Sequence, residues 1–142
     1  MRLVLDTNVV VSALVWGGRP YKLLQAATEG DIELFTSPAL IDELRRVLAR
    51  ERLASRLAEQ RTSVQRMIEL YGELAISVSP LSTPRAVPRD KDDDQVIAAA
   101  IAANADLVVS GDADLVSLGS FEGVVIVTTA EAVARVEARN KT

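Results

Sequence analysis

The chain has 142 residues, 49% of them hydrophobic and only 4% aromatic, which predicts a single domain spanning residues 1–142 around an aliphatic core. It contains no Cys and no His, so disulfides, zinc–thiolate sites, Ser-His triads and histidine-based hydrolysis are excluded. The net charge is −4 and no apolar stretch approaches the roughly 18 residues of a membrane span, so we expect a soluble, cytoplasmic protein without affinity for membranes.

The first half of the chain alternates between strand and helix patterns. Gly17-Gly18 interrupts the apolar segment, Gly30 closes the first clear helix, and Ser37-Pro38 is a typical helix start with Ser37 as N-cap. In chain order the patterns predict a strand at 2–5, an apolar segment at 9–16, a helix at 21–29, a strand at 32–36, a helix from Pro38 and one continuous helical pattern at 52–71.

The second half continues the alternation and ends in a helix capped by Thr128 or Thr129. Its patterns predict a strand at 75–78, a loop at 79–90, a helix at 92–103, a strand at 107–109, a helical turn at 112–118, a strand at 124–127 and a helix to about residue 139. Strands alternating with helices predict an α/β fold whose mostly parallel sheet, of about five strands, is covered on both faces.

Four acidic residues stand at the edges of predicted elements, each beside an apolar run: Asp6, Glu43, Asp93 and Asp112. Carboxylates at strand ends of an α/β protein point into the crevice where ligands bind. Without Lys or His to neutralise it, such a cluster calls for a divalent cation, and oxygen ligands favour Mg²⁺, Mn²⁺ or Ca²⁺.

Each acid also has a purely structural interpretation. Asp6-Thr7-Asn8 is a good helix N-cap sequence, and Asp42 or Glu43 complements the dipole of a helix start. Glu43 borders the apolar face of its helix, whereas Asp42 lies farther round. Asp114 is either a supporting acid or a cap.

Four of the ten aspartates fall between Asp90 and Asp94, more than a helix cap needs, and they repel one another unless a cation is near. The helical spacing places Asp93 on one face with Ile97 and Ala100, and Asp94 beside that face.

Seven of the thirteen arginines fall between residues 45 and 66: Arg45, Arg46, Arg50, Arg52, Arg56, Arg61 and Arg66. With Glu51 and Glu59 interleaved, this run is either a solvated helix face or a phosphate-binding flank beside an acidic site.

Four segments in order resemble a PIN domain, and more narrowly the small toxin components of bacterial and archaeal toxin–antitoxin pairs of the VapC type. They are Leu5-Asp6-Thr7-Asn8, Ser37-Pro38 with Glu43, Asp90–Asp93 before an Ala-rich helix, and Ala105–Leu115. The resemblance spans roughly residues 2–129. It implies a three-layer α/β/α sandwich and a ribonuclease site in which Asp6, Glu43, Asp93 and Asp112 bind Mg²⁺ or Mn²⁺.

The resemblance also implies supporting groups around these four acids. The hydroxyls of Ser110 and Thr7 would assist, Asn8 is the small polar residue after the first acid, Asp114 matches a less constant acid, and Asp94 is the alternative to Asp93. The implied partners are an RNA substrate, an antitoxin protein and a second copy in a homodimer. Because they are close to Glu43 in sequence, we predict that Arg45, Arg46 and Arg50 guide the RNA backbone.

Other interpretations compete with the nuclease. A haloacid-dehalogenase-like phosphatase or a receiver domain also carries aspartates at strand ends, but the phosphatase pattern needs Asp where Asn8 stands. Both also need a late lysine at a strand end, and Lys141 lies in the tail. A catalytically silent protein- or RNA-binding module is compatible with the same residues. A partner surface is predicted at Leu14, Val15, Trp16 and Leu23, unless Trp16 packs on the edge of the core.

Overall fold

The computed structural model describes residues 1–83, 86 and 91–140, with positions 91 and 92 described by their backbone. A six-stranded sheet forms its centre, in the spatial order β3-β2-β1-β4-β6-β5. The strands are β1 (Arg2–Leu5), β2 (Glu33–Thr36), β3 (Ala75–Ser77), β4 (Leu107–Val109), β5 (Ser120–Phe121) and β6 (Val124–Val127).

All strand pairs are parallel except β5 with β6, which confirms the predicted mostly parallel sheet. Strand β1 is central: Leu3 pairs with Leu34 of β2 on one side and with Leu107 of β4 on the other. The sixth strand was not predicted. It is the two-residue edge strand β5, joined to β6 by a tight turn at Glu122 and Gly123.

Two layers of helices cover the sheet because side chains alternate along each strand. Leu3 and Leu5 of β1 face one core, shared with α1–α5 and α8, while Val4 faces a second core beneath α6 and α7. The three-layer α/β/α sandwich is thereby confirmed. The helices are α1 (Thr7–Val11), α2 (Gly18–Thr28), α3 (Pro38–Leu48), α4 (Glu51–Glu59), α5 (Val64–Leu74), α6 (Lys91–Ala102), α7 (Ala113–Leu118) and α8 (Thr129–Asn140).

The predicted helix starts at Ser37 and Thr128 are confirmed. Ser37 Oγ accepts the Leu40 N–H at 3.3 Å, and Pro38 occupies the first turn of α3. Thr128 Oγ1 accepts the Glu131 N–H at 3.2 Å at the start of α8. Gly30 follows α2 with a φ of 81°, the left-handed conformation that Gly favours after a helix.

The predicted continuous helix over 52–71 is wrong, because α4 ends at Glu59 and α5 begins at Val64. The N–H groups of Arg61 and Thr62 donate to the carbonyls of Ala58 and Leu57, which is a Schellman ending. Arg61 takes the left-handed position with a φ of 55°, where Gly is usual. Ser63 then caps α5 by accepting the Arg66 N–H at 3.1 Å.

The apolar segment after Asp6 is helical but changes pitch. Helix α1 runs into a π-helical turn at Ser12–Trp16, in which the Gly17 N–H donates to the Ser12 carbonyl at 2.9 Å. Of the predicted loop 79–90, residues 84, 85 and 87–90 lie outside the described residues. Within the described ranges, no helix is both long and apolar enough to cross a membrane.

Candidate active site at the carboxyl edge of the sheet

The chain reverses its direction across the sheet between β1 and β4. From β1 it builds β2 and β3 to one side, and it then returns to build β4 and β6 on the other. In open α/β sheets the ligand crevice lies at the carboxyl ends of the strands beside this switch point. Asp6 directly follows β1 and Ser110 directly follows β4, so the sequence places both polar groups at this crevice.

Asp6 is almost fully buried, with 5% of its surface exposed, and is held from two directions. Its Oδ1 accepts the Thr7 N–H at 2.8 Å, so Asp6 is also the N-cap of α1. Its Oδ2 accepts the Ser110 hydroxyl at 2.7 Å across the switch point. Ser110, itself fully buried, accepts the Asp112 N–H at 2.9 Å. Hydrogen bonds therefore fix the orientation of the first predicted acid.

Asp112 is only half-buried and acts as the N-cap of α7. Its Oδ1 accepts the N–H groups of Asp114 at 2.9 Å and Leu115 at 3.2 Å. The cap interpretation considered for Asp114 is wrong, because Asp114 is an exposed first-turn residue that donates its N–H to the cap. For Asp6 and Asp112, the helix-cap interpretation and the metal-ligand interpretation are therefore compatible. Capping a helix holds each carboxylate in place at the end of a strand.

Helix α3 carries the two adjacent acids whose orientation the sequence distinguishes. Glu43 is half-buried, whereas Asp42 is exposed and pairs with Arg45 at 3.1 Å. Helix α3 contacts both α1 and α6, the two helices that begin with Asp6 and with the aspartate run. The expectation that Glu43 lies nearer the core than Asp42 is confirmed.

Helix α6 begins at the carboxyl edge of the sheet and runs towards the amino edge. Asp106, which follows the end of α6, donates its N–H to the Arg2 carbonyl at 2.7 Å, at the amino end of β1. With 12 residues, about 18 Å long, α6 must start near the carboxyl edge. Asp93 and Asp94 in its first turn are 4% and 1% exposed. Asp94, expected to flank Asp93, is therefore as buried as Asp93, because α6 is buried on several sides.

A model of the PIN domain family matches residues 2–114, which is the greater part of the chain. The chain belongs to the PIN domain family. PIN domains have a nuclease-type fold, are generally hydrolases of nucleic acids and commonly depend on metal ions. A search of curated proteins gives no match. Membership of this family replaces the phosphatase and receiver-domain interpretations. Lys141, the late lysine considered for those interpretations, lies outside the described residues.

This PIN domain offers oxygen donors of the kind that Mg²⁺ and Mn²⁺ prefer. Among the residues that the structure describes, no group of three or more acidic side chains is close enough to hold an ion. Asp90 and the side chain of Asp92 are outside that description. Mg²⁺ usually needs only one or two carboxylates, keeping waters and substrate oxygens for its other positions. The residues present therefore fit a divalent ion in donor chemistry.

The arginine run of the PIN domain divides into paired and unpaired cations. Arg56 pairs with Glu59 at 3.7 Å and Arg66 with Glu69 at 3.5 Å, and Arg45 is paired with Asp42 as described above. Arg50 and Arg52 form no ion pair with any side chain that the structure describes. Of the predicted RNA-backbone candidates, Arg50 therefore has no ion-pair partner among the described side chains, and Arg46 is exposed on α3.

Arg52 has a position that the sequence analysis did not predict. It lines a cavity of about 440 Å³ together with Asn8, two residues after Asp6. No local pattern signals this, because residues 8 and 52 meet only through the packing of the helices.

The predicted partner surface is partly wrong. The side chains of Val15 and Leu23 are buried in the first core, because they lie on the faces of their helices that pack inward. Trp16 is 59% exposed, so it does not pack into the edge of the core. Trp16 and Leu14 border an apolar groove of about 530 Å³ between the π-helical turn, α2 and α5.

Proposed function

We propose that this PIN domain is a metal-dependent endoribonuclease whose site comprises Asp6, Glu43, Asp93 and Asp112. The observation that carries the proposal is the buried Asp6 carboxylate, held by Ser110 at 2.7 Å at the switch point of the sheet. Such a carboxylate cannot turn away to solvent, and a rigid strand end is the scaffold that a catalytic ligand needs.

The metal we propose is Mg²⁺ or Mn²⁺, bound by Asp6 and Asp93, with Asp94 as the alternative to Asp93. A carboxylate has about four acceptor positions, so the hydrogen bonds from the Thr7 N–H and the Ser110 hydroxyl do not by themselves prevent Asp6 from binding an ion. When bound, the ion lowers the pKa of a coordinated water and neutralises charge on the phosphate. Glu43 and Asp112 complete the shell or hold the attacking water.

The remaining polar groups of the edge would position these ligands. Ser110 fixes Asp6, and Thr7 does so through its N–H group. Asp114 supports Asp112 through its N–H, and Asn8 lies on the exposed side of α1. We propose that Arg46 and Arg50 contact the RNA backbone, with Arg45 contributing once its ion pair with Asp42 opens.

The biological role that we propose is that of a cytoplasmic toxin in a toxin–antitoxin pair. The support is the sequence resemblance of the four segments to that group. An antitoxin protein and a second copy of the chain are the partners that this role implies. A catalytically silent binding module is the alternative, and it predicts RNA or protein binding without hydrolysis.

The test is cleavage of a mixed structured RNA in Mg²⁺, Mn²⁺ or EDTA. The wild type is expected to cleave only with metal, and the Asp6→Asn/Asp93→Asn double variant is expected to be inactive. The matched pair on α3 sharpens the assignment. Glu43→Gln is expected to lower kcat by about 10²-fold or more, comparable to loss of one catalytic group, while its neighbour Asp42→Asn stays near wild type.

Each result bears on a separate part of the proposal. Cleavage that survives EDTA would contradict the metal, and equal activity of Glu43→Gln and Asp42→Asn would remove Glu43 from the site. RNA binding without cleavage in any metal would favour the silent module.

A further inference from the structure

A second surface adjoins the acidic edge along the first helical segment. Asn8, Ser12 and Trp16 follow one another at a spacing of four residues, and all three line one cavity of about 440 Å³. Arg52 and Leu53 of α4 form its opposite wall. The lining of the cavity starts at Asn8, two residues after Asp6, and continues along α1 and the π-helical turn to Trp16.

The π-helical turn that carries the exposed Trp16 is held by two side chains of the α4 region. Gln60 Nε2 and Arg56 Nε donate to the Val15 carbonyl, at 2.8 Å and 3.2 Å. The Arg56 guanidinium also lies over the indole, 4.8 Å from the ring centroid. One face of Trp16 is thereby supported by a cation while 59% of the residue remains exposed.

Arg52 lies one helical turn before Arg56 on α4 and lines the same cavity as Trp16. Arg56 is partly neutralised by Glu59, whereas Arg52 has no ion pair with a described side chain. An exposed aromatic ring beside arginines is the arrangement by which proteins bind single-stranded nucleic acid: bases stack on the ring and phosphates meet the cations. The positive charge of Arg52 and Arg56 suits a polyanion and would repel a basic partner.

We propose that this surface, formed by Asn8, Ser12, Trp16 and Arg52, is a subsite for single-stranded RNA beside the acidic centre. A base stacks on Trp16 and a neighbouring phosphate binds Arg52. This inference rests on the proposed function, because it supplies the path by which the RNA reaches Asp6. The surface suits unpaired RNA, since the bases of a duplex stack on each other and leave none for the indole.

Trp16 is the only Trp of the chain, so its fluorescence reports directly on the subsite. The protein is titrated in EDTA with an unlabelled single-stranded oligouridylate of roughly ten nucleotides, within the usual site size of single-strand-binding grooves. The expected result is quenching of the emission by the single strand and not by a duplex of the same length.

Fluorescence anisotropy of a labelled oligouridylate then gives affinities for variants of exposed residues. Trp16→Leu and Arg52→Gln are each expected to weaken binding about tenfold. Arg52→Gln should also reduce the slope of log affinity against log salt concentration by about 0.7, the value for one phosphate contact to a single strand. Arg135→Gln on α8 removes the same charge from an exposed position elsewhere and is expected to change neither value.

The outcomes separate the subsite from the nuclease. Metal-dependent cleavage with unquenched Trp16 and unaltered Arg52→Gln affinity would overturn the subsite and leave the nuclease standing. Quenching and a weakened Arg52→Gln variant without any cleavage would support the subsite and contradict the nuclease. An emission shift that depends only on protein concentration, with no response to RNA, would assign this surface to self-association and overturn the inference.

Discussion

Ser110 has one hydroxyl proton, and its neighbours determine where that proton points. The Asp112 N–H donates to Ser110 Oγ at 2.9 Å, so the hydroxyl proton is directed to its other close neighbour, Asp6 Oδ2, at 2.7 Å. A hydroxyl that donates to a carboxylate stabilises the charged form. One buried side chain therefore links the ends of β1 and β4 and keeps Asp6 oriented for ligation.

Ser110→Ala removes this link and leaves the Asp112 N–H without its hydroxyl acceptor. Hydrogen bonds to charged groups contribute about 1.5–3 kcal/mol, so we expect the free energy of unfolding to fall by about that amount in urea titration. Ser117→Ala, at an exposed position of α7, is the control and should change stability by less than about 0.5 kcal/mol. Equal effects of the two substitutions would show that Ser110 does not restrain Asp6.

Tyr71 presents the opposite case, a buried polar atom that the fold does not use. Its ring fills the first core, and its hydroxyl has no hydrogen-bond partner among the residues described. Burying such a group costs about 1–3 kcal/mol. We therefore expect Tyr71→Phe to stabilise the protein by about 1 kcal/mol in urea titration at pH 7, while Tyr21→Phe, at an exposed position, has little effect. A less stable Tyr71→Phe variant would reveal a partner for the hydroxyl.

The burial of Tyr71 also makes the free energy of unfolding depend on pH in the alkaline range. Desolvation raises the pKa of Tyr71 well above its ordinary value of about 10. Above that pH the unfolded chain loses the proton while the folded protein keeps it, so stability falls as pH rises, by up to about 1.4 kcal/mol per pH unit. The stability difference between Tyr71→Phe and wild type should therefore grow between about pH 9 and pH 11. A constant difference would contradict the raised pKa.

At the scale of elements, local side-chain chemistry was predictable where it follows common rules. Ser37 and Thr128 cap their helices as expected, because an N-cap needs only an oxygen at one position. Two other elements were missed because an unusual residue occupies a left-handed position. Arg61 ends α4 where Gly is common, and Glu122 stands in the β5–β6 turn where Asn is common. Both residues are exposed, and the backbone hydrogen bonds of the helix ending and the pairing of β5 with β6, rather than local preference, hold them in this conformation.

The β5–β6 turn allows a direct test of the free-energy cost of placing Glu122 in the left-handed conformation. Glu122 and Gly123 have φ values of 47° and 86°, the two positive angles of a type I′ hairpin turn. Asn tolerates this conformation better than Glu, so we expect Glu122→Asn to raise the free energy of unfolding by about 0.5–1 kcal/mol. Glu122→Ala removes the same charge without that preference and is the control. Equal stability of both variants would assign any gain to charge.

At the scale of the whole molecule, parallel topology made part of the site predictable. Carboxyl ends of parallel strands lie at one edge, so the strand pattern placed Asp6 and Ser110 at the same edge. Their direct contact depends on the pairing of β1 with β4, which the sequence analysis did not predict. The burial of Asp94 did not follow, because it depends on how many neighbours enclose α6. The contact of Asn8 and Arg52 with one cavity did not follow either, since it arises from helices distant in sequence.

The distribution of charge also makes the two proposed surfaces differ in their need for metal. Asp6 and Asp112 follow strands at the carboxyl edge, while Arg52, which has no ion pair with a described side chain, lines the cavity that includes Asn8. A phosphate is attracted to Arg52 at any metal concentration but is repelled by the acids until a cation neutralises them. Binding at the Trp16 surface should therefore persist in EDTA, whereas hydrolysis should not.

Metal binding at the acidic edge should also stabilise the whole fold. An ion that binds only the folded protein adds about 2.7 kcal/mol at one hundred times its Kd, which for a domain of this size raises Tm by about 5–10 °C. We expect Mn²⁺ to produce such a shift in the wild type and EDTA to reverse it. The shift should be lost in Asp6→Asn, reduced in Glu43→Gln and retained in Asp42→Asn, whose carboxylate faces solvent. An unchanged wild-type Tm would mean that the edge is not a working metal site, and an equal shift in Asp6→Asn would place the ion elsewhere.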